Sequence, residues 1–466
     1  MLFNSVQFGV FFAMVFVAFV AAPPRYRTSV LLAASLSFYA LWVPTFLVLL
    51  LGTLSANFVL TKRMSRSAHP RRYLVASVGL TLSLLAVFKY AAFGVELAAP
   101  LVHRALGKSP RIPELVLPLG ISFYSFEIVS LSVDVYRGRR PCPTFGRYLL
   151  FVTFFPHLIA GPILRGGELL PQLDAGGART PERTRRGLWL FFAGLAKKTV
   201  FADFLLSPFA NDIFSTPGST NGPSHLVAAY SFAFQIYFDF SGYTDMARGL
   251  SCLLGFELPM NFEEPYLSRS PSEFWRRWHM TLSRWLRDYL YVPLGGNRRG
   301  STRTTLNLLI TMLLGGLWHG AGLNFVVWGG LHGLLLVVAR FRAKNRNDDR
   351  AVTWSDAPRI FALFNVVCLI WVPFRCETWG DSVAFGRGLV SSGYLQGWPL
   401  LPTAIVGLCF VLHVAERRLR ERLPEIHATL ATAAWGPALE GWLLGAVVML
   451  SVLSSGAGAE FIYYQF

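Results

Sequence analysis

The chain has 466 residues, of which 53% are hydrophobic and only 15% are charged, and its formal net charge is +17. A soluble domain carries about 25% charged residues, so this chain lacks the polar surface that would cover a water-soluble globule. The composition therefore argues against a soluble enzyme and favours an all-α, polytopic membrane protein. The positive charge lies in short loops between apolar stretches, which indicates cytoplasmic loops and anionic headgroups rather than nucleic acid.

Apolar segments follow one another along the whole chain. The first begins almost at Met1 without a basic leader, so we interpret it as a retained span rather than a cleavable signal. The segments lie near 5–22, 28–42, 44–61, 73–97, 115–135, 146–164, 187–213, 224–257, 304–322, 323–340, 357–375, 400–415 and 438–456. At about 20 residues per crossing we expect about 11 transmembrane helices. The other segments would be re-entrant or interfacial, within a single membrane domain over residues 1–466.

Basic segments between these apolar stretches predict the orientation of the chain. They lie at 23–27, 62–72, 137–141, 342–350 and 416–422, and we expect all of them to face the cytoplasm. Two apolar segments separate the first two basic segments, which keeps those two on one side. This arrangement predicts that the N-terminus and the C-terminal tail, residues 459–466, lie outside.

Residues 271–296, PSEFWRRWHMTLSRWLRDYLYVPLGG, break the apolar pattern and predict an amphipathic helix that begins at Ser272. One face carries aromatic rings, at Phe274, Trp278, Trp285 and Tyr289. Another face carries polar groups, at Arg276, His279, Ser283 and Arg287. The helix either lies in the membrane interface or lines a cytoplasmic entrance that receives an anionic, phosphate-bearing donor. The arginines that would meet this donor are Arg276, Arg277, Arg284 and Arg287.

Two histidines, His319 and His332, lie in the nearly uncharged stretch GGLWHGAGLNFVVWGGLHG, residues 315–333. Each is either a packing residue or a group that does chemistry at membrane depth, because ionisable residues there mark functional sites by default. Glycines on both sides of His319 loosen a helix and leave room for a ligand. With Asn324 they also predict a chain break, which would let both rings face one cavity.

Metal binding is the obvious rival explanation for paired histidines. Neither HxxxH nor HExxH occurs, no carboxylate lies between the two histidines, and the five cysteines are scattered without ligand or disulfide spacing. We therefore predict no metal site and interpret the cysteines as small apolar side chains. A nucleophile elbow, a P-loop and a dinucleotide-binding glycine motif are also absent from the sequence.

A second polar constellation lies in QIYFDFSGYTDMARGL, residues 235–250. Asp239 and Asp245 would pair with Arg248 or with arginines of the 271–296 segment and hold the core. Alternatively, Asp239 and Tyr243 would contact a substrate. Two further polar interruptions, Glu127 and His157, either line a pathway or cap broken helices.

Several motifs together resemble the membrane-bound O-acyltransferases, and within them the bacterial proteins that acetylate alginate. LWHG at 317–320 and FVVWGGLHG at 325–333 are similar to the active-site region of that family. Further motifs similar to those of the family follow one another in the expected order along the chain: LPLGISFYSFE at 117–127, FFPHLIAGPILR at 154–165, GLAKKTVFAD at 194–203, FDFSGYTDMARG at 238–249 and FWRRWHMTLSRWLRDYLYVPLGGNR at 274–298. Gly322 and Leu323 stand where an Asn-Trp pair is expected, and Glu127 stands where glutamine is usual.

The resemblance implies helices around a central tunnel, a catalytic His319, and an assisting or tunnel-lining His279. Substrate or donor contacts would fall on the four arginines of the 271–296 segment and on Asn324, His332, Asp239 and Tyr243. The expected donor is a cytosolic thioester such as acetyl-CoA, with no bound cofactor. The departures from the pattern would change pocket shape, and so acyl or acceptor preference.

The expected reaction is transfer of an acetyl group across the bacterial inner membrane to an alginate-like polysaccharide, or to a periplasmic partner acetyltransferase. His319 would act as a neutral general base, or a side chain would carry a transient acyl group. Two alternatives stay open at this point. One is D-alanyl transfer to teichoic acid, and the other is a polysaccharide or lipid-intermediate transporter with His319 as a proton relay.

Overall fold

The computed structural model describes residues 1–107, 115–218, 221–342, 352–392, 394, 397–433 and 435–454. Every regular element in these residues is a helix, as the composition predicted. The chain forms two compact units. The first contains residues 1–188 and 247–259, and the second contains the described residues of 189–246 and 260–466. The prediction of one membrane domain stays a prediction.

The first unit is built from helices, four of which begin at a proline, whose missing N–H would have no intrahelical partner in the first turn. The helices are α1 (Val6–Ala21), α2 (Pro24–Ala40), α3 (Pro44–Met64), α4 (Pro70–Leu106), α5 (Ile121–Tyr136), α6 (Phe145–Thr153), α7 (Gly166–Asp174) and the start of α8 (Pro181–Ala196). The predicted basic segment 23–27 therefore runs into the first turn of α2, and 62–72 joins α3 to α4.

Phenylalanine rings and one buried acid–base pair hold the first unit together. The ring of Phe38 on α2 lies 5.7 Å from Phe11 and 5.9 Å from Phe155. His157 Nδ1 lies 3.1 Å from the Glu127 carboxylate, which also accepts the Leu164 backbone N–H at 3.2 Å. Glu127 thus anchors the irregular chain after α6, and a role in lining a pathway or capping a broken helix stays a prediction.

The second unit begins inside α8, continues as a π-helix over Lys197–Leu206, and then forms α9 (Ser207–Ser215) and α10 (Gly222–Leu253), whose last turns belong to the first unit. Two short helices follow, α11 (Pro271–Arg277) and α12 (Met280–Leu286), with a π-helix over Arg287–Tyr291. The remaining helices are α13 (Gly300–His319), α14 (Leu323–Arg342), α15 (Ala357–Arg375), α16 (Trp379–Leu389), α17 (Leu400–Thr432) and α18 (Gly436–Ser454). Short 3₁₀ turns cover Pro265–Leu267 and Trp354–Asp356.

Six described helices are long and apolar enough to cross a membrane. They are Pro44–Met64, Pro70–Ala105, Leu323–Arg342, Trp354–Arg375, Leu400–Arg420 and Gly436–Ser454, and Val6–Ala21 is a shorter apolar helix. A polytopic membrane protein is therefore confirmed, whereas the count of about 11 spans is not. The basic segment 416–422 lies inside α17 rather than in a loop. Most of segment 342–350 and the tail 459–466 lie outside the described residues.

α13 and α14 form a hairpin whose backbones touch. A Cβ on Gly316 would collide with the Phe325 carbonyl oxygen, and a Cβ on Gly329 would collide with that of Met312. Glycine is therefore required at both positions for helices to approach this closely. The chain break predicted between His319 and His332 is confirmed, because α13 ends at His319 and α14 starts at Leu323.

The prediction of one amphipathic helix over 271–296 is wrong. α11 starts at Pro271, with Ser270 rather than Ser272 as its N-cap, and it ends at Arg277. His279 then adopts the left-handed conformation, with φ 41° and ψ 55°, before α12 begins. This turn interrupts the helical register, so the aromatic stripe and the basic face do not continue from α11 into α12.

Candidate active site

Three buried imidazoles lie in the second unit, on the break between α11 and α12, at the end of α13 and on α14. His279, His319 and His332 expose 0%, 5% and 1% of their surface. The ring centroids of His279 and His319 are 6.5 Å apart, and both rings contact the Trp318 ring. The structure therefore brings together the two histidines that the sequence predicted to be catalytic. Their catalytic role stays a prediction.

The ring of His279 is held on one side by a hydrogen bond and on others by aromatic side chains. Its Nδ1 lies 3.1 Å from Asn261 Oδ1, while its centroid lies 4.8 Å from Phe240 and 6.4 Å from Phe262. Nε2 is buried and has no hydrogen-bond partner among the described residues. Because α11 and α12 have seven residues each, they are too short to cross a bilayer. Burial lowers the pKa of His279 to about 3, which keeps the ring neutral.

Trp328, on α14, lies between the other two histidines. Its centroid is 5.1 Å from His319 and 4.8 Å from His332. His332 also stacks on Phe274 at 5.8 Å and meets Trp275 at 5.1 Å. Thus both histidine rings of residues 315–333 pack against one indole. The aromatic rings around His332 belong to α11, α14 and α15.

The carboxylates of residues 235–250 are paired with two lysines that the sequence did not single out. Asp239 lies 2.7 Å from Lys198 Nζ, which also contacts Asp203 at 2.9 Å. Asp245 lies 3.0 Å from Lys197 Nζ. The interpretation of these acids as core-holding groups is thus supported, while their pairing with Arg248 or with arginines of the 271–296 segment stays a prediction. The lysines come from GLAKKTVFAD, where the π-helix turns two successive lysines towards α10.

The remaining predicted contact residues take up different environments. Tyr243 is buried on α10, and Asn324, also buried, donates through Nδ2 to the Cys376 carbonyl oxygen at 2.8 Å. Arg277 binds Glu273 at 2.9 Å, and Arg284 is half-buried. Arg276 and Arg287 are exposed. Their roles in binding a donor or acceptor stay predictions.

Some residues that contact the histidines come from distant segments and were not predicted from the sequence. Asn261, which contacts His279, lies in a segment without helical periodicity. Phe374 belongs to α15, and its ring centroid lies 5.4 Å from that of His319. Trp328 carries a signal that was not used, since it lies four residues before His332 and so on the same helical face. All five cysteines are free, and four of them are buried. In the part of the chain that the structure describes, no group of three His, Cys, Asp or Glu residues could hold a metal ion.

A polytopic helical protein with buried, closely spaced imidazoles fits the class suggested by the LWHG and RRWH motifs. Residues 30–371 match the family model of MBOAT, the membrane-bound O-acyltransferase family. The chain belongs to the membrane-bound O-acyltransferase family. It is therefore an O-acyltransferase, and the resemblance drawn from the motifs is confirmed.

Relatives with several different acceptors are similar to this chain. The probable alginate O-acetylase AlgI of Pseudomonas putida is 37% identical over 100% of both chains. The peptidoglycan O-acetyltransferase of Helicobacter pylori is 35% identical over 79% of this chain and 75% of its own. The teichoic acid D-alanyltransferase of Streptococcus thermophilus is 32% identical over 55% of this chain and 68% of its own.

Proposed function

We propose that this protein transfers an acetyl group from acetyl-CoA to a hydroxyl of an alginate-like polysaccharide outside the cytoplasm. The observation that carries the proposal is the pair of buried imidazoles, His279 and His319, whose centroids lie 6.5 Å apart. The full-length similarity to an alginate O-acetylase supports acetyl as the acyl group and a polysaccharide as the acceptor.

In the proposed reaction His319 acts as a general base. It takes the proton of the acceptor hydroxyl while the hydroxyl oxygen attacks the thioester carbonyl carbon. The C–S bond breaks, the acetyl ester forms, and the proton leaves with the thiol of CoA. A positioned base contributes roughly 10²–10⁴-fold to such a step. His279, neutral through burial, assists by accepting a hydrogen bond from a neighbouring hydroxyl of the acceptor and so orients it.

The apolar surroundings suit this chemistry. Trp318, Trp328 and Phe374 each lie within 5.4 Å of the His319 ring centroid. A site walled by aromatic rings excludes water, which protects the thioester from hydrolysis.

We further propose that the protein lies in the bacterial inner membrane with both termini outside. The basic segments at 23–27, 62–72 and 137–141 support a cytoplasmic position for the loops that contain them. On that side the exposed Arg276 and Arg287 would meet the phosphates of CoA. The acetyl group would then reach the polysaccharide directly or through a periplasmic partner acetyltransferase.

The test is ester-acetate analysis of surface polysaccharide from a deletion strain complemented with wild type or with His319→Ala. We expect His319→Ala to abolish acetylation while membrane levels of the protein, measured by immunoblot, stay unchanged. His69→Ala is the matched control, because His69 is exposed and precedes α4. Retained acetylation in His319→Ala would overturn the proposal.

The same strains separate the other candidate functions. The similarity to a teichoic acid D-alanyltransferase makes D-alanine a second acyl group worth measuring. Ester-linked alanine in place of acetate on the cell surface would assign that reaction instead. A transporter would give less surface polymer in the His319→Ala strain, rather than normal amounts of unacetylated polymer.

A further inference from the structure

The side chain of Asn261 lies against the break between α11 and α12. Its Oδ1 is 3.1 Å from His279 Nδ1, and it also accepts the backbone N–H of Thr281 at 3.2 Å and the Thr281 hydroxyl at 2.9 Å. Asn261 and His279 expose 1% and 0% of their surface. One amide oxygen therefore gathers three groups that belong to the turn around His279.

These contacts determine which ring nitrogen of His279 carries the proton. A backbone N–H can only donate, so the amide atom facing Thr281 must be the oxygen. The same oxygen can only accept, so His279 Nδ1 must donate to it. A neutral imidazole has one N–H, and Nε2 is therefore the unprotonated nitrogen.

Backbone hydrogen bonds hold Asn261 in place relative to this turn. The Met280 N–H donates to the Asn261 carbonyl oxygen at 2.9 Å, and the Glu263 N–H donates to the Arg277 carbonyl oxygen at 2.9 Å. Residues 261–263 and 277–280 are thus tied to each other on both sides of His279. Rotation of the amide away from Nδ1 would also break its two hydrogen bonds with Thr281.

We propose that Asn261 is a positioning residue that holds His279 in the Nδ1-protonated tautomer, so that Nε2 faces the reacting groups as a hydrogen-bond acceptor. The inference rests on the proposed function, in which His279 assists acyl transfer. Nε2 is buried without a partner among the described residues, as a nitrogen reserved for a substrate hydroxyl would be. Removal of the amide would let the ring adopt the other tautomer, which donates from Nε2.

The groups around His279 allow the proposal to be tested by introducing a negative charge next to the ring. α10 contributes Phe240 to the ring, the preceding segment contributes Phe262, and α13 contributes Trp318 and His319. His319 is the titratable group among these contacts. A carboxylate introduced at position 261 would therefore be the nearest negative charge to the His279 ring.

The decisive variants are Asn261→Asp and Asn261→Ala of the full-length protein in lipid nanodiscs. Acetyl-CoA and an alginate oligosaccharide are the probes, and release of the CoA thiol is measured between pH 5 and pH 8. Asp keeps the acceptor oxygen, so Asn261→Asp retains activity at pH 8. If its carboxylate raises the pKa of His279 by about 2–3 units, from about 3 to about 5–6, activity relative to wild type falls about two- to tenfold at pH 5. Asn261→Ala is inactive throughout.

Asn211→Asp is the control, because Asn211 is half-buried and its Oδ1 accepts from Arg375 Nη2 at 2.9 Å, so that a carboxylate there faces a cation and stays ionised. Its activity relative to wild type should not change with pH. A pH-independent loss in Asn261→Asp would show a purely structural role and overturn the inference. Equal thiol release by wild type and His319→Ala would instead overturn the proposed function.

A spectroscopic measurement keeps the inference falsifiable without any assay. Solid-state NMR of the ¹⁵N-histidine-labelled protein distinguishes the two neutral tautomers, and the His279 signal among nine histidines is identified by its absence in His279→Gln. We expect protonated Nδ1 and bare Nε2 in wild type at pH 7, and a changed tautomer in Asn261→Ala. Protonated Nε2 in wild type would overturn the inference.

Discussion

Two buried polar regions of the second unit differ in how they hold ionisable groups: one pairs opposite charges, and the other keeps an imidazole neutral. Around Lys198 each charge meets an opposite charge within 2.9 Å, from Asp203 and Asp239. Around His279 the ring meets an amide and aromatic rings, and burial keeps it neutral. Both regions are buried. Ion pairing offsets the desolvation of charge in the first, whereas the neutral imidazole of the second carries no charge to be desolvated.

The difference indicates which region does chemistry. A buried ion pair satisfies both partners, and its loss leaves an uncompensated charge in the interior. A neutral imidazole with one free acceptor nitrogen has instead a proton-accepting site that no described group occupies. We therefore expect changes near Lys198 to act on the fold, and changes near the histidines to act on the reaction.

The largest effect on stability should follow Lys198→Ala. The substitution leaves Asp203 and Asp239 buried without their shared cation, which costs about 3–5 kcal/mol. We expect a strongly reduced protein level in membranes and a lower unfolding temperature of the purified protein. Lys62→Ala, at an exposed position at the end of α3, should stay within about 0.5 kcal/mol of wild type. Equal unfolding temperatures for the two variants would show that the ion cluster does not hold the fold.

A smaller effect, on activity alone, is expected for His332→Phe. The ring of His332 stacks on Phe274 and packs against Trp275 and Trp328, and phenylalanine keeps these contacts. We expect kcat to fall by no more than about tenfold, equivalent to ~1.4 kcal/mol, with normal protein levels. A loss as complete as that of His319→Ala would place His332 among the reacting groups and merge the roles of the two histidines.

The smallest effect is expected for Arg287→Ala. This exposed arginine contacts Asp288 at 2.7 Å, and an exposed pair contributes only about 0.2–1 kcal/mol. If Arg287 meets the phosphates of acetyl-CoA, KM for acetyl-CoA rises by roughly 1.5- to 5-fold with kcat unchanged, and the effect shrinks at high salt. Arg25→Ala, exposed in the first turn of α2, should leave KM unchanged. A changed kcat in Arg287→Ala would contradict a role in donor binding.

Sequence patterns predicted the fold best where local chemistry decides it. The boundary between α13 and α14 was predicted within a few residues, because Gly320 and Gly322 mark a break in an apolar run. The segment over 271–296 was mispredicted as one helix. Its pattern is helical on both sides, but backbone hydrogen bonds from residues 261–263 impose a turn at His279. Periodicity carries no information about such tertiary partners.

In the candidate site, too, some residues could be predicted from the sequence and others could not. Motif similarity singled out His279 and His319, and the structure places their rings side by side. The lysine partners of Asp239 and Asp245 were not predicted, because they depend on how a π-helix directs Lys197 and Lys198 towards α10. Asn261 escaped notice for a related reason: an asparagine in a loop has many ordinary uses, and its contact with His279 exists only in the folded chain.

His279 is one of two non-glycine residues with a positive φ in the described chain, the other being Glu264. A side chain in this conformation costs about 1–3 kcal/mol, which glycine would avoid. Glycine would relieve this strain but would lose the packing of the ring against Phe240 and Phe262, so the backbone and the core place opposite demands on the residue. At this one position the side chain that the proposed reaction needs stands in a backbone conformation that suits it poorly.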